Sequence, residues 1–502
     1  MQVPDPTPHP LDHLTRRGAA NAPALVTRDG TLNYADLERG VGSLATWLLG
    51  FDIAPGDRVA SWLPKGRLTS LLPLACARAG LVHVPINPVL KRGQVAHILA
   101  DSGARLLISA DVRLSTLAGD DRSAECRLLG EAELAGWDAQ QAAPPSSADP
   151  DGLAALLYTS GSTGRPKGVM LSHANLWLGA ISVAHYLRLT PDDRTLAVLP
   201  LSFDYGQNQL LSTWAAGGCA IPLDYLAARD VIRAVERHDV TTLAGVPPLW
   251  VQLIEAEWPP RAAYALRRLT NSGGRLPASV TRRMRELFPA AELYLMYGLT
   301  EAFRSTYLEP ALVDDHPDSI GTAIPFAEVL VARADGTIAD DDEPGELVHA
   351  GPLVAKGYWN DPGRTAQRFR PAPSASDYGG QAVWSGDTVR RDRAGRLSFV
   401  GRADTMIKTS GNRVSPTEVE EAAVASGAVA EAVAFGIPDD RLGEAIALVV
   451  RGNREQDSTL RTFMRRELPN FMQPSIIVWR DVLPRGPNGK LDREAIAREL
   501  QG

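Results

Sequence analysis

The sequence has few cysteines, and none of them is arranged to bind a metal. Cys76, Cys126 and Cys219 are the 3 cysteines of a 502-residue chain, and no CxxC pair or Cys/His cluster occurs. A zinc site is therefore not expected. So sparse a count is typical of a protein that works in a reducing compartment without disulfides.

Long apolar runs and a targeting segment are also missing. No stretch of about 18 apolar residues occurs, so no membrane span is predicted. The start, MQVPDPTPHP, is polar and proline-rich and does not read as a secretory signal. The net charge is −7. Nucleic acid is not expected as the main partner, because a phosphate-binding surface needs a basic excess. We expect a cytoplasmic protein.

The length and the apolar pattern predict more than one domain. A chain of 502 residues exceeds what one hydrophobic core supports. RVASWLP, RLLISA, LAALLYTS, TLAVLP and ELYLMYG are predicted strands, and YADLERGVGSLATWLLG and SVTRRMRELF are predicted helices. This alternation predicts an α/β architecture with a mostly parallel sheet. After Gly401 the chain has its own strands and helices, which predicts a separate small α+β domain.

The stretch YTSGSTGRPKG, Tyr158–Gly168, combines glycines, hydroxyl side chains and two cations. Glycine allows a close approach of the backbone to a ligand, and successive N–H groups form an anion site. The predicted strand before it places the loop at a sheet edge, where α/β proteins bind ligands. Neither GxxxxGK[ST] nor GxGxxG is present, since Gly168 follows Lys167. The composition favours nucleotide phosphates, although a flexible surface loop uses the same residue types.

The longer stretch YTSGSTGRPKGVMLSHANL resembles the signature loop of the adenylate-forming superfamily. This superfamily includes acyl-CoA synthetases, adenylation domains of peptide synthetases and luciferases. The resemblance implies ATP as a substrate and Mg²⁺ as the metal, with Thr163 and Glu301 as the metal ligands. It implies nucleotide binding by Thr159, Ser160, Gly161, Ser162, Thr163, Gly164 and Lys167.

Two further motifs follow in the family's order. In YGLTE, the resemblance implies that Tyr297 stacks on adenine, Thr300 contacts phosphate and Glu301 holds Mg²⁺. Without the family, this pentapeptide could equally be a helix start with Thr300 as its N-cap. In WSGDTVRRDRAGRLSFVGR, Asp387 would accept hydrogen bonds from the ribose hydroxyls and Arg402 would approach the ribose or a phosphate. A hairpin would explain the turn residues of that stretch, but not Asp387.

The C-terminal motifs imply a mobile domain. Lys490 in NGKLDR resembles the family's catalytic lysine, and Asp404 matches its hinge position. The implied fold is α/β. A large N-terminal domain of two α/β subdomains plus a distorted β-barrel covers residues 1–403, and a small mobile α+β domain covers residues 404–502. Rotation about Asp404 would bring Lys408 and Gly411 to the tunnel for the thiol.

The implied reaction has two halves. A substrate carboxylate attacks the α-phosphate of ATP, which yields an acyl-adenylate and pyrophosphate. A thiol then attacks the acyl carbon, and AMP leaves. Because a carboxylate is a weak nucleophile, positioning and charge neutralisation supply most of the catalysis.

The stretch LPLSFDYGQNQLL bears on the choice of acid. Many similar acyl- and aryl-CoA synthetases have histidine where this chain has Phe203, which Asp204 follows. The pair is similar to the amino-acid-activating branch, in which the aspartate binds the substrate ammonium. Alternatively, Asp204 caps the next helix. The pocket positions of that branch correspond to Asp204, Tyr205, Asn208, Thr270, Ser272, Gly273, Met296, Arg304 and Ser305. Arg304 either binds a second carboxylate of the substrate or points away from the pocket.

Other features leave the acceptor open. Leu299 stands where peptide-synthetase domains usually have proline, which is typical of CoA ligases, and the sequence shows no attached carrier domain. The chain also resembles free-standing ligases that load carrier proteins and ligases found with exosortase systems. We predict activation of an amino acid and transfer to the phosphopantetheine thiol of an acyl or peptidyl carrier protein. The alternatives are an AMP-forming acyl- or aryl-CoA synthetase that uses free CoA, and a non-catalytic nucleotide-binding relative.

Lys490→Ala is expected to abolish adenylate formation but to spare thioester formation from supplied acyl-AMP, because the resemblance assigns this lysine to the first half-reaction. ATP–pyrophosphate exchange measures the first half, and thioester yield from synthetic acyl-adenylate measures the second. Equal loss in both halves would contradict this assignment.

Overall fold

The computed structural model describes residues 4–159, 166–274, 276, 278–402, 406–484 and 493–501. Lys490, Asp404 and the loop residues Ser160, Gly161, Ser162, Thr163 and Gly164 lie outside the described residues. The expected domain boundary at residues 403 and 404 lies outside them as well. Within the described part of the chain, no helix is both long and apolar enough to cross a membrane.

Helices and strands alternate through most of the chain, as predicted. The helices are α1 Tyr34–Leu49, α2 Arg67–Arg78, α3 Arg92–Ser102, α4 Asp111–Leu114, α5 His173–Tyr186, α6 Asp204–Ala215, α7 Ala228–His238, α8 Pro247–Glu255, α9 Pro260–Ala265, α10 Ala278–Leu287, α11 Pro362–Arg368, α12 Pro416–Ala425, α13 Asp457–Glu467 and α14 Arg493–Gln501. The predicted helices therefore correspond to α1 and α10.

The first ten strands are shared between two sheets. They are β1 Pro23–Thr27, β2 Gly30–Asn33, β3 Arg58–Trp62, β4 Val82–Pro85, β5 Leu106–Ser109, β6 Arg127–Leu129, β7 Leu153–Thr159, β8 Lys167–Ser172, β9 Arg194–Ala197 and β10 Cys219–Pro222. One sheet has the order β6-β5-β3-β4-β7-β8 and is parallel except for the β7–β8 hairpin. The described ends of the glycine-rich stretch are the last residue of β7, Thr159, and the first residue of β8, Lys167, at the edge of this sheet.

The middle of the chain adds the remaining strands of the large domain. They are β11 Thr242–Gly245, β12 Arg268–Asn271, β13 Glu292–Tyr297, β14 Thr306–Leu308, β15 Ser319–Ala323, β16 Glu328–Ala332, β17 Gly345–Ala350, β18 Phe369–Pro371, β19 Gln381–Arg391 and β20 Leu397–Arg402. A second sheet runs β16-β17-β19-β20-β15-β14-β13-β12-β11-β9-β10-β1-β2, with β18 paired to β19. Its pairs from β13 to β1 are parallel.

The strands expected to form a distorted barrel form an open sheet instead. From β14 onward the pairs are antiparallel and continue directly from the parallel strands. Among the described residues, β16 ends the strand order and has only an isolated bridge from Ala332 to Ile338 beyond it, so this part does not close. The resemblance therefore correctly implied a mixed α/β domain with an appended β region, but not the open form of that region.

One large hydrophobic cluster contains residues of both sheets of the large domain and packs them together. Helix α1 packs on α2 and α5 packs on α6, while α2 contacts β4 and β7 and α6 contacts β9 and β10. Trp214 and Trp250 are fully buried in this core. The entry to α1 is set by a capping box, in which Asn33 Oδ1 accepts from the Asp36 N–H at 2.8 Å.

The C-terminal residues form a sheet of their own. Its strands are β21 Ile407–Thr409, β22 Asn412–Val414, β23 Val429–Asp439, β24 Gly443–Gly452 and β25 Ile476–Arg480. The order is β22-β21-β24-β23, with β25 parallel to β24. Helices α12 and α13 pack together, and apolar side chains such as Val419, Leu448 and Leu460 form a separate core. This agrees with the α+β character expected after Gly401.

A buried ion pair links the short 3₁₀ helix Leu11–Arg16 to α1 and α2. Arg78 Nε donates to Asp12 Oδ2 at 2.9 Å, and its Nη2 donates to Glu38 Oε2 at 2.8 Å. The Arg78 and Asp12 side chains are 1% and 0% exposed. Removing one member of such a pair leaves the other charge buried without compensation.

Arg78→Met is expected to destabilise the large domain by about 3–5 kcal/mol, because it leaves Asp12 buried and unpaired. Arg39→Met is the matched control, since Arg39 is 66% exposed in its pair with Asp36 and such pairs contribute about 0–1 kcal/mol. Urea unfolding followed by tryptophan fluorescence measures both. Similar midpoints for the two variants would show that the buried pair has no special role.

Candidate active site

The main cleft lies at the carboxyl ends of the parallel strands. It has a volume of about 1540 Å³ and is lined by the ends of β12 and β13, by the start of α6 and by residues of the C-terminal sheet. Open parallel sheets bind ligands at this edge. Pockets for a single small molecule are typically about 300–1,000 Å³, so the cleft has room for more than one.

Thr159 and Lys167 face each other as the last and first residues of β7 and β8. The Thr159 hydroxyl oxygen is buried and has no hydrogen-bond partner among the described residues. The Lys167 ammonium donates to the Tyr358 hydroxyl at 2.6 Å and lies 3.3 Å from Glu301 Oε1. The two ends of the glycine-rich stretch therefore open directly into the cleft.

Glu301 is the centre of a buried charge cluster. The Tyr358 hydroxyl donates to Glu301 Oε1 at 2.6 Å, and the Glu301 side chain is 5% exposed. Burial by itself would raise the pKa of Glu301, but the nearby cations Lys167, Arg368 and Arg413 outweigh this effect and hold the pKa well below its usual range. The carboxylate is therefore ionised at neutral pH.

The motif residue Tyr297 binds Asp387 directly. The hydroxyl of Tyr297, the last residue of β13, donates to Oδ2 of Asp387 in β19. Burial, and then the charge of Asp387, raise the pKa of Tyr297, which keeps this donor protonated. In the β19–β20 hairpin Asp387 lies opposite Arg402. Two residues that the sequence assigned to adenine and to ribose are thus neighbours in the cleft wall.

Asp204 is the first residue of α6 and lies at the floor of the cleft. Phe203 is the N-cap, so the capping alternative for Asp204 does not hold. Asp204 Oδ1 accepts from the Thr300 hydroxyl at 3.0 Å, and Oδ2 lies 3.4 Å from Arg304 Nη2. Burial raises the pKa of Asp204, an effect that Arg304 and Thr300 partly offset. This carboxylate is paired inside the protein.

The other predicted pocket residues separate into two groups. Ser272, Gly273 and Met296 line the cleft with Asp204, Tyr205 and Arg304. Asn208 and Thr270 lie behind Tyr205, where they line a second cavity of about 20 Å³. The Tyr205 hydroxyl and Thr270 Oγ1 are 2.7 Å apart.

Ser305 has another partner. Its hydroxyl lies 2.9 Å from Nδ1 of the buried His349, in the wall beneath the cleft. Sequence position alone did not distinguish this residue from Arg304 beside it.

Residues of the C-terminal sheet complete the cleft. Gly411, at a φ of +74°, packs on the Val246 side chain so closely that a Cβ would lie 2.7 Å from it. Its carbonyl oxygen would be 3.6 Å from a Cβ at Gly273. The Lys408 ammonium lies 4.3 Å from the Phe399 ring centroid. Only glycine fits at position 411 without displacing the wall of the acid pocket.

Sequence reasoning missed Tyr358, Arg368 and Arg413, all of which line the cleft. Tyr358 follows a glycine in KGYWND, and Arg368 ends α11. Neither stretch carries a local pattern that indicates a binding role. Their partners Lys167 and Glu301 are distant in sequence, so only the folded chain brings them together.

The comparisons with known proteins agree with this geometry. The model of the AMP-binding enzyme family matches residues 13–359, and the model of the AMP-binding enzyme C-terminal domain matches residues 418–490. The chain belongs to the AMP-binding enzyme family. It is an adenylate-forming acid–thiol ligase, and enzymes of this family use ATP.

Similar proteins act with different acceptors. A feruloyl-CoA synthase from Amycolatopsis sp is 33% identical over 497 residues, which cover 97% of this chain and 98% of the relative. An L-proline–[L-prolyl-carrier protein] ligase from Pseudomonas fluorescens is 28% identical, with 95% and 96% covered. An amide bond synthetase from Marinactinospora thermotolerans has a TM-score of 0.87 and 25% identity, with 98% and 99% covered. The family resemblance seen in the motifs is therefore confirmed.

Glu418 connects the C-terminal helix α12 to α3 of the large domain. Its Oε1 accepts from Gln94 Nε2 at 2.6 Å, and the residue is 8% exposed. Burial, together with the negative charge of Glu421, raises the pKa of Glu418 to about 7. The interface between the two parts of the chain therefore contains a carboxyl group that titrates near neutral pH.

This arrangement predicts that docking weakens as the pH rises from about 4.5 to about 7. Below this window the carboxyl is neutral whether buried or exposed, and above it the docked form must bury a charge. Glu418→Gln should therefore raise the thermal midpoint at pH 8 by about 2 °C or more and change it little at pH 5. Glu455→Gln is the exposed control. A shift of equal size at both pH values would exclude this linkage.

Proposed function

We propose that the protein activates an amino acid as an acyl-adenylate and transfers it to the phosphopantetheine thiol of a carrier protein. The observation that supports this most is the buried Asp204 carboxylate, which lies next to Thr300 and close to Glu301 at the floor of the cleft. An ammonium group bound there would add a charge partner in a site of low dielectric, where such a bond is strongest. The carboxylate of the same amino acid would then point to the nucleotide.

Nucleotide binding would use two groups of residues that line the cleft. Tyr297 and Asp387 would hold the adenosine, and Lys167 with the glycine-rich stretch would hold the phosphates. Among the described residues no group of three or more His, Cys, Asp or Glu could hold a metal by protein ligands alone. A single carboxylate with phosphate oxygens is the usual Mg²⁺ site, and Glu301 fits that role. Bound Mg²⁺ would neutralise phosphate charge.

The chain's own cations would share that task. Lys167, Arg368 and Arg413 already lower the pKa of Glu301, so a positive potential surrounds this carboxylate before any metal is bound. Cations fixed in advance stabilise the negative charge on the oxygens of a pentacoordinate phosphorus without further rearrangement. Lys490 would add a further positive charge in the first half-reaction.

Thiol transfer would use the pose in which Gly411 contacts Val246. Because Gly411 has no side chain, the C-terminal sheet can approach Val246 closely, and a pantetheine arm would pass beside this contact between the two parts of the chain. We assign residues 1–403 to the adenylation domain and 404–502 to the mobile domain, with Asp404 as the hinge and Lys408 beside the thiol path. The buried, free cysteines Cys76, Cys126 and Cys219 support a cytoplasmic location.

A second candidate is an acyl- or aryl-CoA synthetase that uses free CoA. One specific contact favours it: Arg304 lies 3.4 Å from Asp204, so the carboxylate has a cation partner without any substrate. An acid with no amino group would then leave the pocket neutral. The feruloyl-CoA synthase and the prolyl-carrier ligase represent the two candidates among similar proteins.

Asp204→Asn distinguishes these candidates, because it removes the charge and keeps the shape. If the substrate is an amino acid, its KM in ATP–pyrophosphate exchange should rise roughly 10- to 100-fold, as expected for the loss of a charged hydrogen bond. The KM for ATP should change little.

The wild-type panel for this test contains amino acids, fatty acids and benzoates. Exchange with simple acids alone, or an unchanged KM for the amino acid in the variant, would favour the CoA synthetase. Thioester yield with a phosphopantetheinylated carrier and with free CoA identifies the acceptor.

A further inference from the structure

Arg304 is built rigidly into the acid pocket. Its side chain is 2% exposed, its Nη1 donates to Ser272 Oγ at 3.0 Å, and its guanidinium lies 4.6 Å from the Tyr205 ring centroid. Gly298 makes room for it, since a Cβ there would be only 3.1 Å from Arg304 Cδ. A side chain held on three sides is a fixed element of the pocket rather than a mobile surface cation.

Two of its donor groups nevertheless lack an acceptor. Arg304 Nε and Nη2 are buried and have no hydrogen-bond partner among the described residues. The distance of 3.4 Å from Nη2 to Asp204 Oδ2 is an ion pair, but it is longer than a direct hydrogen bond. Buried donors in native proteins are almost always satisfied, so these two indicate an acceptor that arrives with a ligand.

We infer that the substrate is an amino acid whose side chain carries a second carboxylate, which binds Arg304 while the ammonium binds Asp204. This inference rests on the proposed function. A planar guanidinium with two open N–H groups matches a carboxylate in a bidentate arrangement. Arg304 therefore serves as the specificity-determining residue for the end of the side chain.

The charge balance of the pocket supports the same class of substrate. Asp204 and Arg304 together are neutral, so a substrate ammonium alone leaves an excess positive charge in a buried site. A distal carboxylate restores neutrality. A dicarboxylic acid without an amine leaves an excess negative charge, and an uncharged acid leaves the Arg304 donors without an acceptor.

The test is ATP–pyrophosphate exchange by the full-length enzyme with matched substrates. Glutamate is compared with glutamine and homoleucine, and aspartate with asparagine and leucine, since the side chains in each set have the same number of heavy atoms. One acidic amino acid should exceed its amide and its apolar counterpart by about tenfold or more in kcat/KM. Equal or better activity with the neutral members would overturn the inference.

Arg304→Met then tests the residue itself, because it keeps a long apolar side chain and removes the donors. The preference for the acidic substrate over its amide should fall to about one, mainly through KM. A purely structural role would lower activity with both substrates equally and preserve their ratio, which would overturn the role of Arg304. Arg39→Met is the matched control on the surface, and far-UV circular dichroism checks folding. If the variant does not fold, the wild-type ratios still decide.

Failure of this inference differs from failure of the proposed function. Exchange with amino acids, but with no preference for acidic ones, rejects only the inference. Exchange only with acids that lack an amino group rejects the amino-acid assignment and the inference together.

Discussion

The active site depends on burying carboxylates and cations together at the end of a parallel sheet. Glu301 is held by Lys167 and Tyr358, and Asp204 is held by Thr300 and Arg304. Transferring a single charge from water to the protein interior costs several kcal/mol, so each of these groups needs its partner at the right distance. In the proposed reaction, these opposite charges would already be in place for a phosphate and a carboxylate.

The sheet topology brings these partners together. The strands β9, β11, β12 and β13 are parallel, so their carboxyl ends meet at one edge. Asp204 follows β9, Ser272 follows β12 and Thr300 follows β13. The antiparallel strands beyond β14 return the chain over this edge and add Asp387, and the other sheet, β6-β5-β3-β4-β7-β8, contributes Lys167 from its terminal hairpin. Polar side chains from distant segments thereby share one cleft.

The C-terminal sheet gives the cleft its remaining wall. Gly411 contacts Val246, and Glu418 contacts Gln94, so both the acid pocket and the domain interface depend on how this part docks. The same surface contains one carboxyl that titrates near neutral pH, which links docking to proton uptake. Small contacts at this interface thus influence a site whose main charges belong to the large domain.

Elements with a strong periodic pattern were predictable from the sequence. The strands β3, β5, β7, β9 and β13 and the helices α1 and α10 agree with their predictions, because buried strands and amphipathic helices repeat over short distances. The family was predictable from contiguous motifs such as YTSGSTGRPKG. The open form of the region from β14 to β20 was not, since strand closure depends on which edges pair and not on local pattern.

The sequence by itself determined the family and predicted which residues would bind a nucleotide, because those residues lie in short uninterrupted motifs. Only the tertiary structure decided the charge partners. Thr300 and Asp204 are 96 residues apart, Tyr358 and Lys167 are 191 apart, and Gln94 and Glu418 are 324 apart. The motif alignment left two possibilities for Arg304, which were binding a second carboxylate and pointing away from the pocket. The Arg304 guanidinium lies over the Tyr205 ring, and this position is in the pocket. Pairing of buried charges is a property of distance in space, which local sequence patterns do not encode.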